Sequence, residues 1–274
     1  MTSIAVPRRE RGALYDLFAD SATMILRNLL RFKHSPGEII GTIMFPLSMI
    51  LIFGYIFGSA IPIPGGGNYR EFLMPGLFAM GAAASFAGIM QKMANDNQLG
   101  VMDRFRSMPA SRSAVPVGTS GAELINYTLG LVVTALCGWA TGWTAHTGFW
   151  SVAAGFGVIL LFAFGMIWLG IFLGSLVRNV TTAERLAPLF MPLTMISNTF
   201  VPTGNMPAWL RAIADWNPVS ALVESCRVLF GNPGLSSSTA WSMQHPVATI
   251  LLWSIALIAV FAPLSVRRFQ KMNL

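Results

Sequence analysis

"WSVAAGFGVILLFAFGMIWLGIFLGSLV", residues 150–177, contains no charged side chain. The hydrocarbon core of a bilayer is roughly 30 Å thick, and a helix needs about 20 apolar residues to cross it. This stretch is long enough to cross with some tilt. A β-barrel would instead show ten-residue segments of alternating polarity, and there are none. The fold class is therefore an all-α integral membrane protein. Composition agrees: of 274 residues, 54% are hydrophobic and 11% charged, and the mean hydropathy is +0.61. Soluble domains are about 25% charged; a charge at the bilayer centre costs about 2.5–3.5 kcal/mol on insertion scales.

Working outward, five further runs read as spans, giving six in all: 39–58, 72–93, 122–143, 150–177, 186–201 and 247–266, in one transmembrane domain over 1–274. The fifth is short and carries Pro188 and Pro192, which weaken a helix and let it bend. Six spans put both termini on one side. If that side is the cytoplasm, the inside segments hold Arg8, Arg9, Arg11, Arg27, Arg31, Lys33, Lys92, Arg104, Arg106, Arg112, Arg178, Arg185, Arg267, Arg268 and Lys271. Only Arg70, Arg211 and Arg227 of the 18 basic residues are left outside. This positive-inside bias orients the chain. It also accounts for the net charge of +7 without nucleic acid as a partner. Segment 1–38 is long for a cleaved leader. Cys137 and Cys226 form no CxxC or zinc spacing, and no disulfide is expected.

Three segments outside the runs carry pattern. "LYDLFADSATMILRNLLRFK" is amphipathic and predicts an interfacial helix over 12–34, with acids first and bases last as the helix dipole favours. It is either a surface anchor or a lever that also touches a partner. "GVMDRFRSMPASR", 100–112, mixes both charge signs with Phe105 and Met108 on the inside face of the membrane. Segment 204–245 predicts an extracellular helical hairpin before the last span. Its first helix has Trp209, Ile213 and Trp216 at i, i+4, i+7. The second starts with Asn217 as N-cap and Pro218, and stops at Gly231. In it Leu222, Cys226, Leu229 and Phe230 make one stripe, and Glu224 and Arg227 share the other side. The pair is either a structural lid or an exit gate, with Trp209, Trp216, Glu224 and Arg227 as candidate gate residues.

Glu123 is the only acid near membrane depth in the spans, followed by Asn126 and Tyr127. It is either helix-start chemistry or a relay facing a cavity. Asn198 in the fifth span either bonds helices together or lines a path. Gly54/Gly58, Gly138/Gly142 and Gly170/Gly174 are GxxxG pairs that permit close helix packing. There is no GxxxxGK[ST], HExxH or GxSxG motif, and His34, His146 and His245 lie in separate segments. Neither metal nor catalytic residues are expected, and uphill work would need an ion gradient or another protein.

Taken together, these parts resemble the type-2 permeases of ATP-binding-cassette (ABC) exporters, closest to the daunorubicin-resistance group of bacterial drug and antibiotic exporters. "LGVMDRFRSMPASR" resembles that group's signature loop, and "NPVSALVESCRVLFGNP" resembles its late Asn-Pro-Val block. The resemblance covers nearly the whole chain. It implies that 96–112 is a coupling segment docking into a separate nucleotide-binding subunit. Asp103, Arg104 and Arg106 would make charge-assisted contacts there, Phe105 and Met108 would be apolar anchors, and Pro109 would end the helix. It implies two ATPase subunits carrying ATP and magnesium, no cofactor on this chain, and a second copy of the permease. Location would be the bacterial cytoplasmic (inner) membrane. Phe86, Asn198 and Phe200, with Glu123, Asn126 and Tyr127, are candidates for the path of a hydrophobic small molecule. Rival readings are a lipid or glycan exporter of the same family, a proton-coupled secondary transporter using Glu123, and a scaffold without cargo.

Overall fold

Long apolar stretches without helix breakers fold into helices because lipid offers no partner to an open N–H or C=O. The structure, a computed structural model, describes residues 36–58, 63, 66–99, 114–177 and 179–271. The expected interfacial helix at 12–34 lies outside the described residues, as do Asp103, Arg104, Phe105, Arg106 and Met108.

The chain runs through α1 (Pro36–Leu51), which ends in a wide π turn (Ile52–Phe57), then α2 (Tyr69–Gln98), α3 (Ala114–Ala140) and α4 (Phe149–Leu176). After α5 (Val180–Leu186) come a 3-10 turn (Ala187–Phe190) and α6 (Met191–Met195). Beyond these lie α7 (Ala208–Trp216), α8 (Pro218–Phe230), the short α9 (Trp241–Gln244) and α10 (Pro246–Lys271). Among the described residues all regular structure is helical, and α2, α3, α4 and α10 are long and apolar enough to cross a membrane. A shorter apolar helix covers Met44–Ile56. The predicted fifth span at 186–201 is not one helix. Pro188 and Pro192 remove two backbone donors within five residues, and the chain divides into α5, the 3-10 turn and α6, then leaves the helix at Ile196.

The centre of the bundle is α2 against α4. Gly170 and Gly174 make this possible: their backbone lies so close to α2 that a Cβ at Gly170 would be 2.4 Å from Phe86 O. Phe72, Phe78, Phe162 and Ile159 fill the core between them. The ends are tied by polar bonds. At one end Arg70 Nη1 donates to Thr141 O at 3.1 Å; at the other Asn97 Nδ2 donates to Gly174 O and Val177 O, both at 3.2 Å. Segments that the charge distribution assigns to one side thus meet at one end. α3 and α10 turn large apolar side chains outward: Leu136, Trp139, Leu252 and Ile255 are all exposed. In water such a surface would drive association; in lipid it is the solvated face.

Candidate functional site

Two features at neighbouring levels make up the site: an apolar cavity beside the broken segment, and a buried polar cluster that anchors that segment's end.

The cavity, of about 290 Å³, lies between α1, α2 and the α5–α6 segment and is backed by Met166 of α4. Phe45, Ala84, Phe86, Phe190, Met191 and Met195 are among its lining residues. Thr194 is the one polar side chain on the lining, and its hydroxyl already donates to Met191 O at 2.8 Å. Phe86 sits half-way along α2 with its ring 4.4 Å from that of Phe190. Residues 187–195, the segment broken at the two prolines, supply one wall of the cavity. Its walls offer dispersion contacts and almost no hydrogen bonds, so it accepts apolar groups. Leu189, Met191 and Met195 stand exposed beside it.

The polar cluster begins where α6 ends. Asn217, the N-cap of α8, accepts from Val219 N at 2.9 Å with one end of its amide. With the other it donates to Leu193 O at 2.6 Å and Ile196 O at 2.7 Å, fastening the broken segment to α8. One turn on, Asn198 Nδ2 donates to Glu224 Oε2 at 2.9 Å, and Arg227 Nη2 donates to Asn198 O at 2.8 Å and Phe72 O at 3.2 Å. Arg227 Nη1 lies 3.7 Å from Glu224 Oε2, and its guanidinium stacks 3.8 Å from the centre of the Phe72 ring. Glu224 Oε1 accepts from Ser236 N at 2.6 Å. Glu224 and Arg227 are buried, at 2% and 1% exposure. Burial pushes the Glu224 carboxyl above its ordinary range, against the opposing pull of Arg227 and of its hydrogen bonds. Burial also pushes Arg227 down to about 10, which leaves it charged at neutral pH. Asn198 Oδ1 and Arg227 Nε and Nη1 have no hydrogen-bond partner, so the cluster is incompletely satisfied.

The candidate residues fall in four places. Asn198, Glu224 and Arg227 meet in this cluster. Phe200 is its neighbour: it stacks on Phe53 at 4.5 Å and its carbonyl accepts from Tyr69 Oη at 2.9 Å. Glu123 stands apart on α3, 3.7 Å from Lys92 Nζ, with Asn126 half-buried nearby. Tyr127 donates to Phe78 O at 3.3 Å. Trp209 and Trp216 do not join Glu224 and Arg227; they are 68% and 58% exposed, on the outward face of α7. The four candidate gate residues thus lie in two places, Glu224 and Arg227 inside the bundle and the two tryptophans at its surface. α8 is enclosed by α2, α4, α10 and the chain after Gly231, so its polar side is buried as well as its apolar stripe. Sequence reasoning missed Phe72 as the seat of Arg227, and Phe45, Met191 and Met195 as cavity walls. The latter three lie on the first and fifth spans, which with the second make the walls of the path in the sequence reading.

The sequence profile of the ABC-2 type transporter family matches residues 21–230. This chain belongs to that family. The ABC-2 permease is similar to the daunorubicin resistance ABC transporter permease protein DrrB1 of Streptomyces coeruleorubidus, with 30% identity over 96% of this chain and 90% of that protein. It is similar to the doxorubicin resistance ABC transporter permease protein DrrB of Mycobacterium tuberculosis, with 24% identity over 82% of this chain and 80% of that protein. It is similar also to the probable multidrug ABC transporter permease YbhR of Escherichia coli, with 23% identity over 67% of this chain and 50% of that protein. These likenesses make it a multi-pass ABC-2 permease of the drug-resistance group, as the resemblance of its two loops implied.

Proposed function

We propose that this ABC-2 permease pairs with a second copy of itself to form the membrane part of a bacterial exporter. It would move hydrophobic drugs, antibiotics or similar amphipathic compounds out of the cell. Energy comes from ATP, bound with magnesium by two copies of a separate nucleotide-binding subunit. In this reading the chain crosses the inner membrane six times, with α1 and its π turn as the first span and α5–α6 as the fifth. Both termini are cytoplasmic, and 96–112 is the coupling segment beneath the bundle.

The observation that carries the reading is the apolar cavity beside a helix broken by two prolines. A broken helix can change shape at its joints without melting, and here the joints form the cavity wall. Movement transmitted from the coupling segment through the inner ends of α2 and α3 would shift α5–α6 and alter that wall. Release on the outer side would need the hold of Asn217 on Leu193 and Ile196, and of Glu224 and Arg227 on Asn198, to change. A second copy would cover the exposed Leu189, Met191 and Met195 and enlarge the cavity. The lining gives a glycan's hydroxyls almost no partners, which favours small amphipathic cargo over a glycan. Glu123 is engaged by Lys92, which does not favour a proton relay.

The test is ATP hydrolysis by the complete complex in liposomes, with and without lipophilic compounds. Stimulation by such compounds, lost in Ala84→Trp, which fills the cavity, supports the reading. Stimulation that survives in Ala84→Trp contradicts it.

A further inference from the structure

The inner end of α2 holds both sides of the turn from α4 to α5. α4 stops at Leu176, and a helix end leaves its last carbonyls without partners in the helix. Asn97 Nδ2 reaches across from α2 and donates to Gly174 O and Val177 O, both at 3.2 Å. α5 starts at Val180, whose N–H likewise has no partner in its own helix. Gln98 Oε1, from the next residue of α2, accepts from Val180 N at 3.3 Å. Two adjacent side-chain amides thus clasp one helix where it stops and the next where it starts.

Of the two clasped helices, α4 is fixed to α2. A Cβ at Gly174 would lie 2.6 Å from Met93 Cβ and 2.9 Å from Met90 O, so the two backbones touch and move as one body. α5 is a stiff piece of 7 residues, about 10 Å long. Asn179 caps it by accepting from Thr182 N at 3.0 Å, and Ala183 is fully buried. Directly beyond it Ala187 and Phe190 line the apolar cavity. A displacement of Val180 therefore arrives at the cavity wall with little lost on the way. Gln98 is the last residue of α2, within the proposed coupling segment 96–112.

We propose that Asn97 and Gln98 are positioning residues that carry movement of the coupling segment to the cavity wall. Asn97 fixes the corner to α4, and Gln98 draws the start of α5 with it. The inference rests on the exporter reading and names the joint through which it works. The bond from Val180 N to Gln98 is exposed. Water can replace it in the folded protein, but water cannot transmit a push, so loss of coupling separates from loss of fold.

The experiment uses the permease with its ATPase in liposomes, reading ATP hydrolysis and ATP-dependent uptake of a rhodamine dye in the same preparation. In Asn97→Ala combined with Gln98→Ala, dye moved per ATP hydrolysed should fall by about tenfold, a size typical of coupling residues. Hydrolysis itself should persist, because residues 103–108 are untouched. Gln98→Ala alone should lower the ratio as well; Gln98 is exposed, so this variant carries the test if the double variant does not assemble. Gln98→Glu should keep the wild-type ratio, since a carboxylate oxygen accepts the same bond. Arg268→Gln removes a bond at the same end of the bundle, from Arg268 Nε of α10 to Ser175 O at 3.2 Å, and should also keep the wild-type ratio. An unchanged ratio in Gln98→Ala overturns the proposal. So does an equal fall in Arg268→Gln, which would mean general loosening of that end, or a fall in Gln98→Glu as deep as in Gln98→Ala. Absence of ATP-dependent uptake in the wild type would overturn the exporter reading and this inference with it, a result distinct from a wild type that transports and a variant that does so equally well.

Discussion

Replacing Gly170 by alanine adds one methyl group at the closest approach in the bundle. Its Cβ would lie 2.2 Å from Ile89 Cγ2, 2.4 Å from Phe86 O and 2.9 Å from Phe86 Cα. Two of these are backbone atoms of α2, which cannot rotate away as a side chain can. To restore ordinary contact α2 must move off α4 by roughly an ångström, undoing tight packing on both sides of Phe86. Overpacking of this kind costs about 1–3 kcal/mol. Alanine is a better helix former than glycine by about 0.8–1 kcal/mol, so the net loss is about 0–2 kcal/mol. Gly157 on the same helix supplies the control. It meets no atom within 4 Å, so Gly157→Ala keeps the propensity gain and adds no clash. The two substitutions, chemically identical and on one helix, should then differ by about 1–3 kcal/mol in opposite directions. Unfolding by denaturing detergent, followed by circular dichroism on the purified protein, measures both. Gly170→Ala and Gly157→Ala of equal stability would refute the claim that α2 and α4 are held at backbone contact. The position matters for function because the same movement withdraws Phe86 from the cavity wall.

Arg227→Ala should destabilise by about 3 kcal/mol or more, since it empties the volume of a fully buried side chain over Phe72, removes a hydrogen bond from two carbonyls and takes the cation from beside the buried Glu224; thermal unfolding reads the loss. Glu224 gives a pH dependence whose sign is fixed by burial. Its carboxyl lies above the ordinary range when folded, so its contribution is fully present below the unfolded value near 4.3. That contribution is lost as pH rises through the raised folded value. Glu224→Gln should flatten this part of the stability profile, and an unchanged profile in the variant would remove Glu224 as its source. Arg104→Glu combined with Arg106→Glu should abolish transport while membrane insertion remains intact, as seen by fractionation and export assays.

Much of the architecture was legible in the sequence, for physical reasons that also set the limits. Stretches such as 150–177 need no partner to declare themselves, because length and lack of charge are local properties. The caps of α8 were equally local: Asn217 and Gly231 occupy the ends assigned to them. Pro188 and Pro192 announced a weak helix, but the hold of Asn217 on Leu193 and Ile196, from far along the chain, had no local signal. For Glu224 and Arg227 periodicity records only that two polar residues share a side of a helix. It does not record whether that side meets water or, as here, Asn198 and Phe72. For Trp209 and Trp216 an apolar stripe fits a core, a lipid surface or a gate equally well, and their exposure removes only the first.

The most direct test of the central claim is uptake of a lipophilic fluorescent compound into inside-out membrane vesicles that contain this permease and its ATPase. The account predicts uptake that requires ATP, persists when the proton gradient is collapsed, and falls to background in Ala84→Trp. Uptake that runs on the proton gradient without ATP, or that is unaffected by filling the cavity, would contradict it.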